Sequence, residues 1–350
     1  MKELKLGSRL VGPGHPPYVI AEVGSNHNGD MDLCRRLVET AARCGADAVK
    51  FQSWDKSSLI GKAEYARNTQ YADKKRHFGS LEAMVERYQF TPEQHAVVAG
   101  WCRDLGIHFL SSAFSPREVD MLEGIGVVCH KVASMDVNNL RLLECFGKTG
   151  KPVLLSTGMA TLGEIEQAIT VLDGAGAGSV ALLHCISVYP PDYRDIHLRN
   201  LATLATAFDR VVGFSDHTIG TAIPLASVAL GACIIEKHFT LDKGLEGWDH
   251  WISADPDELA VIVHEGRNIV LSLGSSVRTV SEAESRRRPM MRRRILVARP
   301  MKKGEVVSEA DLDFKRPGTG IAPDESRYVV GRRLARDVDV DHELEWTDLQ

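Results

Sequence analysis

Apolar residues fall along this chain in two alternating rhythms. Short β-branched and apolar runs at 18–23, 48–51, 108–111, 128–133, 153–156, 180–184, 211–214 and 233–236 have the length and composition of buried strands. Between them, at 32–44, 92–105, 140–149, 163–172, 198–208 and 219–230, apolar positions recur three and four apart, as on one face of a helix. A last such stretch, 256–273, closes the series. Eight strand runs, each followed by a helix or a long excursion, predict an α/β chain folded as a TIM (β/α)8 barrel. A doubly wound open sheet is the alternative. No GxGxxG follows the first run, and eight regular units favour the barrel.

The rhythm stops near residue 273. Ser275, Ser276 and Ser281, then Arg286-Arg287-Arg288, predict a polar linker over 274–289. Residues 290–350 alternate short β-like runs with Gly and Pro, as a small β-rich domain would. So short a segment has a small core, and docking on the barrel is expected to help stabilise it.

Polar residues recur where the apolar runs end: Glu22, Lys50 with Gln52, Ser111 with Ser112, Lys131 with Ser134, Ser156, His184 with Ser187, Ser215 with His217, and Glu236 with His238. Barrel active sites are built at that end of the strands. Two lysines facing one mouth repel each other unless an anion lies between them. Ser134, Ser156 and Ser215 add small donors suited to carboxylate or phosphate oxygens, so the set reads as a cradle for a small polyanion. A Schiff-base role is the rival for Lys131. His217 and His238, at neighbouring strand ends, can share one divalent ion and leave positions open for water and a substrate oxygen. No HExxH or CxxC occurs, so a structural zinc site is not indicated.

These residues stand in longer motifs. Ala21-Glu22-Val23-Gly24-Ser25-Asn26-His27-Asn28-Gly29-Asp30 resembles the opening motif of the sialic acid synthase family. Val49-Lys50-Phe51-Gln52, Lys131-Val132-Ala133-Ser134, Leu155-Ser156-Thr157-Gly158-Met159, His184-Cys185-Ile186-Ser187, Phe214-Ser215-Asp216-His217-Thr218 and Glu236-Lys237-His238-Phe239-Thr240 follow in the family's order. Lys302-Lys303-Gly304-Glu305 and Lys315-Arg316-Pro317-Gly318-Thr319-Gly320-Ile321 are similar to the family's C-terminal antifreeze-like (SAF) domain.

The resemblance implies a TIM barrel (1–273), the linker, and a SAF domain (290–350). It implies a synthase that condenses phosphoenolpyruvate with the open chain of an N-acetylated aldose such as N-acetylmannosamine, using Mn2+ or Mg2+. His217 and His238 would hold the metal. Lys50, Ser112, Lys131, Ser134, Ser156, Ser187 and Ser215 would hold phosphoenolpyruvate. Glu22, Gln52, Asp136, Tyr189 and Asp249 would surround the sugar, and Arg316 would meet its acyl group from the partner subunit of a domain-swapped homodimer. Glu22, Lys131, His217 and His238 would carry the chemistry, with Glu22 the candidate for proton traffic or sugar positioning. Gly247-Trp248-Asp249 stands where relatives have Gly-Pro-Asp, and Asp136 where several have Glu, which leaves pseudaminic, legionaminic and other nonulosonic acids as alternative products. A related 3-deoxy-ulosonate synthase acting on a phosphorylated aldose and a non-catalytic sugar-binding relative are further alternatives.

Composition adds exclusions. A net charge of −5 gives no overall positive field for nucleic acid or an anionic membrane. No apolar run approaches the length of a membrane span, and the first residues, with Lys2 and Lys5, lack the apolar stretch of a signal peptide. Seven cysteines inside apolar periodic stretches read as reduced core thiols of a cytoplasmic protein.

Overall fold

Eight parallel strands close on one another in sequence order: β1 (Tyr18–Gly24), β2 (Ala48–Ser53), β3 (His108–Ala113), β4 (His130–Val132), β5 (Pro152–Ser156), β6 (Ser179–Cys185), β7 (Val212–Asp216) and β8 (Ile234–His238). The ring closes where β8 pairs with β1, His238 opposite Glu22. The computed structural model describes residues 3–69, 72–73, 76–77 and 79–350, without the side chains of 72–73 and 76–77. Met1 and Lys2, part of the N-terminal reading above, lie outside these residues. The chain divides into two compact units, Met1–Gly274 and Ser275–Gln350.

Strand alternation sorts the side chains of the first unit. One face of the strands, with Val19, Ala21, Val49, Phe51, Val153, Leu155, Leu182, Phe214 and Ile235, packs in a single core with the helices around the barrel. The other face places Tyr18, Ile20, Ala48, Leu110, Leu154, Leu183 and Ile234 in a second apolar cluster. Two residues further along these strands the same face carries Glu22, Lys50, Ser112, Ser156, Cys185 and Glu236, which line a cavity. The interior is thus apolar below and polar above. An N-terminal hairpin, Leu4–Leu6 paired with Arg9–Val11, adds Leu4, Leu6 and Val11 to the lower cluster.

The helices after the strands include Met31–Arg43, Pro92–Leu105, Leu140–Lys148, Leu162–Ala175, Asn200–Phe208, Ala222–Ala229 and Pro256–Leu273. Their starts follow from local chemistry: Thr91 with Gln94, Thr161 with Glu164 and Asp255 with Glu258 form capping boxes that satisfy backbone N–H groups of the first turn. Gly106, at φ 70°, ends the second of them in the left-handed conformation that favours glycine. A helix at Pro116–Ile125, which buries Glu118, Val119 and Leu122, was not anticipated. Among the described residues the excursion between β2 and β3 holds three short helices ahead of Pro92–Leu105: Lys56–Leu59, Lys62–Arg67 and Leu81–Tyr88. Among the described residues no helix is long and apolar enough to cross a membrane. All seven cysteines are free.

The second unit departs from the expected linker. Glu282–Met291 is a helix, started by the Ser281–Glu284 capping box and carrying a Glu282–Arg286 pair one turn apart. None of its residues is buried, which is why apolar periodicity gave no sign of it. The rest joins a two-stranded sheet, Arg294–Val297 with Leu312–Lys315, to isolated bridges such as Met301–Val338. Two matching turns recur in it: Arg299 Nε lies 2.7 Å from Asp311 Oδ1, and Arg336 Nε 2.6 Å from Asp348 Oδ1. Ile295, Val297, Met301, Val307, Ile321, Val329, Leu334, Val338 and Leu344 form its core.

Candidate active site

The cavity at the C-terminal ends of the strands has a volume of about 500 Å3, and every residue lining it belongs to the first unit. That is room for two small substrates. Its floor is a buried network of four charges. Lys50 Nζ lies 2.7 Å from Glu22 Oε2 and 3.8 Å from Glu236 Oε1, and donates to Ser112 Oγ at 3.1 Å. Lys131 Nζ donates to Ser156 Oγ at 2.7 Å and to the Val132 carbonyl at 2.9 Å, and stands 3.9 Å from Glu236 Oε1. Ser215 Oγ donates to the same Glu236 oxygen at 3.0 Å. Glu236 therefore sits between the two lysines.

Desolvation and pairing set the charge states. Burial pushes the Glu22 carboxyl up to about 7, against the pull of Lys50. The same burial acts on Glu236, but the Lys131 and Lys50 ammoniums outweigh it and hold that carboxyl below its ordinary value. Burial lowers Lys131; Lys50 ends raised because Glu22 and Glu236 overcome its burial. Glu236 is therefore ionised at neutral pH, while Glu22 titrates near neutrality.

Lys50, Ser112, Lys131, Ser134, Ser156, Ser187 and Ser215 all line this cavity, as do Glu22, Gln52, Tyr189, His217 and His238. Gln52 Nε2 donates to Glu22 Oε1 at 3.2 Å. Ser134 Oγ accepts the Gly158 N–H at 3.0 Å. Two expected sugar contacts stand elsewhere. Asp136 is not in the lining: past Ser134 the chain winds into a 3-10 turn, and its carboxylate accepts from Asn139 at 3.1 Å. Asp249 is also outside the lining, with Oδ2 3.6 Å from His238 Nδ1. Arg316 belongs to the second unit, where it is exposed and its guanidinium lies 3.6 Å from Met291 Sδ. Of the polar strand ends, Ser111 and His184 face away: Ser111 Oγ is 2.6 Å from Ser53 Oγ, and His184 Nε2 is 2.6 Å from the Ile196 carbonyl. Adjacent strand residues point to opposite faces, so only one of Ser111 and Ser112 can reach the mouth.

The two histidines stand with ring centroids 5.4 Å apart, and the Tyr189 ring lies 4.0 Å from His217 and edge-on to His238 at 5.9 Å. His217 Nδ1 is 2.8 Å from the Ile186 carbonyl, and the same ring is hydrogen-bonded to Cys185. Burial, then the charge of His217, keeps His238 well below the usual imidazole range, so it is neutral, and its buried Nδ1 has no hydrogen bond among the described residues. A neutral imidazole whose buried Nδ1 makes no hydrogen bond, with a second imidazole 5.4 Å away between ring centroids, fits a shared divalent ion. Among the described residues no cluster of three His, Cys, Asp or Glu side chains could hold one, so substrate oxygens and water would complete its shell.

Sequence reasoning missed three features. Glu236 was placed at a strand tip without a role, yet it bridges both lysines. Cys185 lines the mouth; burial opposes its ionisation, but the hydrogen bond to His217, the charge of His217, Ser134 and Lys131 together outweigh burial and lower the thiol. The signal for both was the period of two already used for their neighbours. The third is the apolar wall that Trp54, Leu59, Ile60 and Phe114, from the ends of β2 and β3 and the excursion after β2, build beside Trp248 on the rim.

Residues 37–278 match the NeuB family and residues 292–350 match the SAF domain. An uncharacterised protein of Methanocaldococcus jannaschii is 42% identical over 100% of this chain and 99% of its own length. The N,N'-diacetyllegionaminic acid synthase of Legionella pneumophila is 38% identical, over 95% of this chain and 94% of that one. The crystal structure of the N-acetylneuraminic acid (sialic acid) synthetase of Leptospira borgpetersenii, in complex with citrate, superposes with a TM-score of 0.73 at 34% identity, covering 81% of this chain and 94% of that one.

Proposed function

We propose that this chain, which belongs to the NeuB family, is a nonulosonic acid synthase that joins phosphoenolpyruvate to the open chain of an N-acylated aldose and releases phosphate by C–O cleavage. The observation that carries the proposal is the joining, in one mouth, of a Lys50–Lys131 cradle ringed by serines to the His217–His238 pair. A carboxylate-phosphate substrate suits the first and a polarised aldehyde the second.

The chemistry follows from those positions. Lys50, Lys131 and the hydroxyls of Ser134, Ser156 and Ser215 would hold the phosphate and carboxylate oxygens of phosphoenolpyruvate. A divalent ion on His217 and His238 would supply Lewis acidity toward the aldehyde oxygen. C3 of the enol attacks the aldehyde carbon, and the aldehyde oxygen takes up a proton. Water adds at C2, loses a proton, and the resulting tetrahedral centre expels phosphate. Glu22, with a carboxyl titrating near 7 beside Lys50 and Gln52, is suited to holding or passing those protons. Orienting two bound reactants against each other contributes several kcal/mol of the barrier reduction on general grounds.

The rim supports a choice of acceptor. An apolar wall favours a sugar whose distal end is deoxygenated or carries a second acyl group over one ending in a phosphate. That agrees with the product in the Legionella relative's name. The test is phosphate release from phosphoenolpyruvate with a panel of aldoses, with and without chelator. We expect release with N-acylated aldoses, most rapid with a diacylated deoxy sugar, loss in chelator and recovery with Mn2+ or Mg2+. Release with sugar phosphates alone, or full activity of a His217→Ala, His238→Ala variant in chelator, would refute the reading.

A further inference from the structure

The strand tips that bear His217 and His238 are joined behind the mouth by a buried ion pair. Along β7 Ser215 and His217 line the cavity and Asp216 does not; along β8 Glu236 and His238 line it and Lys237 does not. Asp216 and Lys237 are register partners across the two strands. Their side chains are fully buried, with Nζ 2.7 Å from Oδ2. Asp216 Oδ1 accepts the Thr218 N–H at 2.8 Å, Oδ2 accepts from Thr218 Oγ1 at 3.1 Å, and Lys237 Nζ donates to the Thr218 carbonyl. Every link in this loop runs through the residue before or after His217, or the residue before His238.

Such a network is a poor source of stability. Removing two charges from water costs about as much as their attraction returns, and apolar packing of the same volume often does as well. Fixed geometry is what an apolar pair would not supply. A histidine that must meet a metal needs its backbone held to a few tenths of an ångström, and partners outside the ligand shell commonly provide that hold. His217 is gripped further by the Ile186 carbonyl and the Tyr189 ring. Beyond the strand ladder, the Asp216–Lys237 link, closed through Thr218, ties its turn to the neighbouring strand and so to His238.

We propose that the Asp216–Lys237 pair, closed through Thr218, is a positioning device that sets the spacing of His217 and His238 for a shared divalent ion. This rests on the metal reading of the two histidines. A rival account, in which the pair acts only through its charges, predicts the opposite sign for one variant. Lys237→Met leaves Asp216 as an uncompensated anion near the site, which by charge alone would tighten cation binding. Loss of positioning weakens it, by the ten- to hundredfold typical of groups that orient metal ligands.

The experiment is Mn2+ binding to the full chain without substrate, followed by the electron paramagnetic resonance of free Mn2+, with thermal unfolding measured alongside. Lys237→Met is compared with the double variant Asp216→Asn, Lys237→Met, which removes both charges but keeps an amide oxygen for the Thr218 N–H. We expect both to bind Mn2+ roughly 10- to 100-fold more weakly, with the double variant unfolding close to the wild type. Unchanged binding by a folded double variant, or tighter binding by Lys237→Met, overturns the proposal while the metal reading stands. A wild type that binds no Mn2+ removes the metal reading and this proposal together. Should neither variant fold, Thr218→Val decides: it deletes one bond of the loop, and weaker Mn2+ binding supports the proposal where unchanged binding overturns it.

Discussion

Lys131→Met is the perturbation that asks most directly what the mouth is built to hold. Methionine keeps the unbranched apolar stem, one atom shorter, and removes the charge. In the wild type the ammonium is buried, bonded to Ser156 Oγ at 2.7 Å, and 3.9 Å from Glu236. Its loss leaves Glu236 with Ser215 at 3.0 Å and Lys50 at 3.8 Å. The stability cost should therefore fall below the roughly 3–5 kcal/mol of a buried charge left without any partner. Relief of the Lys131 ammonium's own desolvation, which already pulls its pKa down, works in the same direction. Binding has no such compensation. A hydrogen bond to a charged group contributes about 1.5–3 kcal/mol, which is about 10- to 150-fold in affinity. Initial rates of phosphate release, with phosphoenolpyruvate varied at saturating acceptor and the reverse, separate the two substrates. The phosphoenolpyruvate KM should rise by that factor and the acceptor KM change little. A variant with unchanged phosphoenolpyruvate KM and a shifted acceptor KM would show that the cradle has been assigned to the wrong substrate.

Three further outcomes are expected. Gly158→Ala should fold normally yet lose about tenfold in phosphoenolpyruvate affinity, because the added Cβ would stand 2.8 Å from Ser134 Oγ and collide with Ser187 Oγ; an unchanged KM would mean that neither hydroxyl touches the substrate. His27, buried against Phe90 at 3.9 Å between ring centroids, has its pKa lowered to about 3 by burial and then by His95 and His250. The unfolded chain takes that proton near the ordinary 6.5, so the contribution is complete above 6.5 and lost as the pH falls, about 2 kcal/mol by pH 5; urea unfolding at pH 7.5 and 5 should show a correspondingly shallower pH slope in His27→Asn, and equal slopes would refute this. If the chain forms a dimer in which Arg316 completes the partner's site, mixing an Arg316→Ala chain with a His217→Ala chain should restore activity, whereas no recovery would mean that each chain uses its own Arg316 or none.

Much of the site was legible before any coordinates. Lys50, Lys131, Ser156, Ser215, His217 and His238 could be named because a polar residue ending an apolar run is conspicuous, and in a barrel all such residues share one end. Less could be said where the rule needs phase as well as position. Ser111 and Ser112 are both polar strand ends, and only pairing across β2 and β3 decides that Ser112 meets Lys50 while Ser111 meets Ser53. Asp136 needs the local turn as well as the motif: past Ser134 a 3-10 turn sets its carboxylate beside Asn139, outside the lining. The helix at Glu282–Met291 escaped because an element that buries nothing leaves no apolar period to read.

By itself, then, the sequence determined the barrel, its strand order and the chemical kinds of group at its mouth, since periods of two and of three to four are local properties that survive without a partner. Tertiary structure alone decided the pairings. That Glu236 stands between two lysines, that Asp216 and Lys237 meet behind the histidines, and that Trp54 and Phe114 form a wall on the rim are consequences of strand register and ring closure, which bring together residues far apart in the chain. So are the charge states. A carboxyl titrating near 7 is a property of burial and of neighbouring charges: Glu22 meets Lys50 where the first strand pairs with the second, and it comes beside Glu236 when the eighth closes on the first.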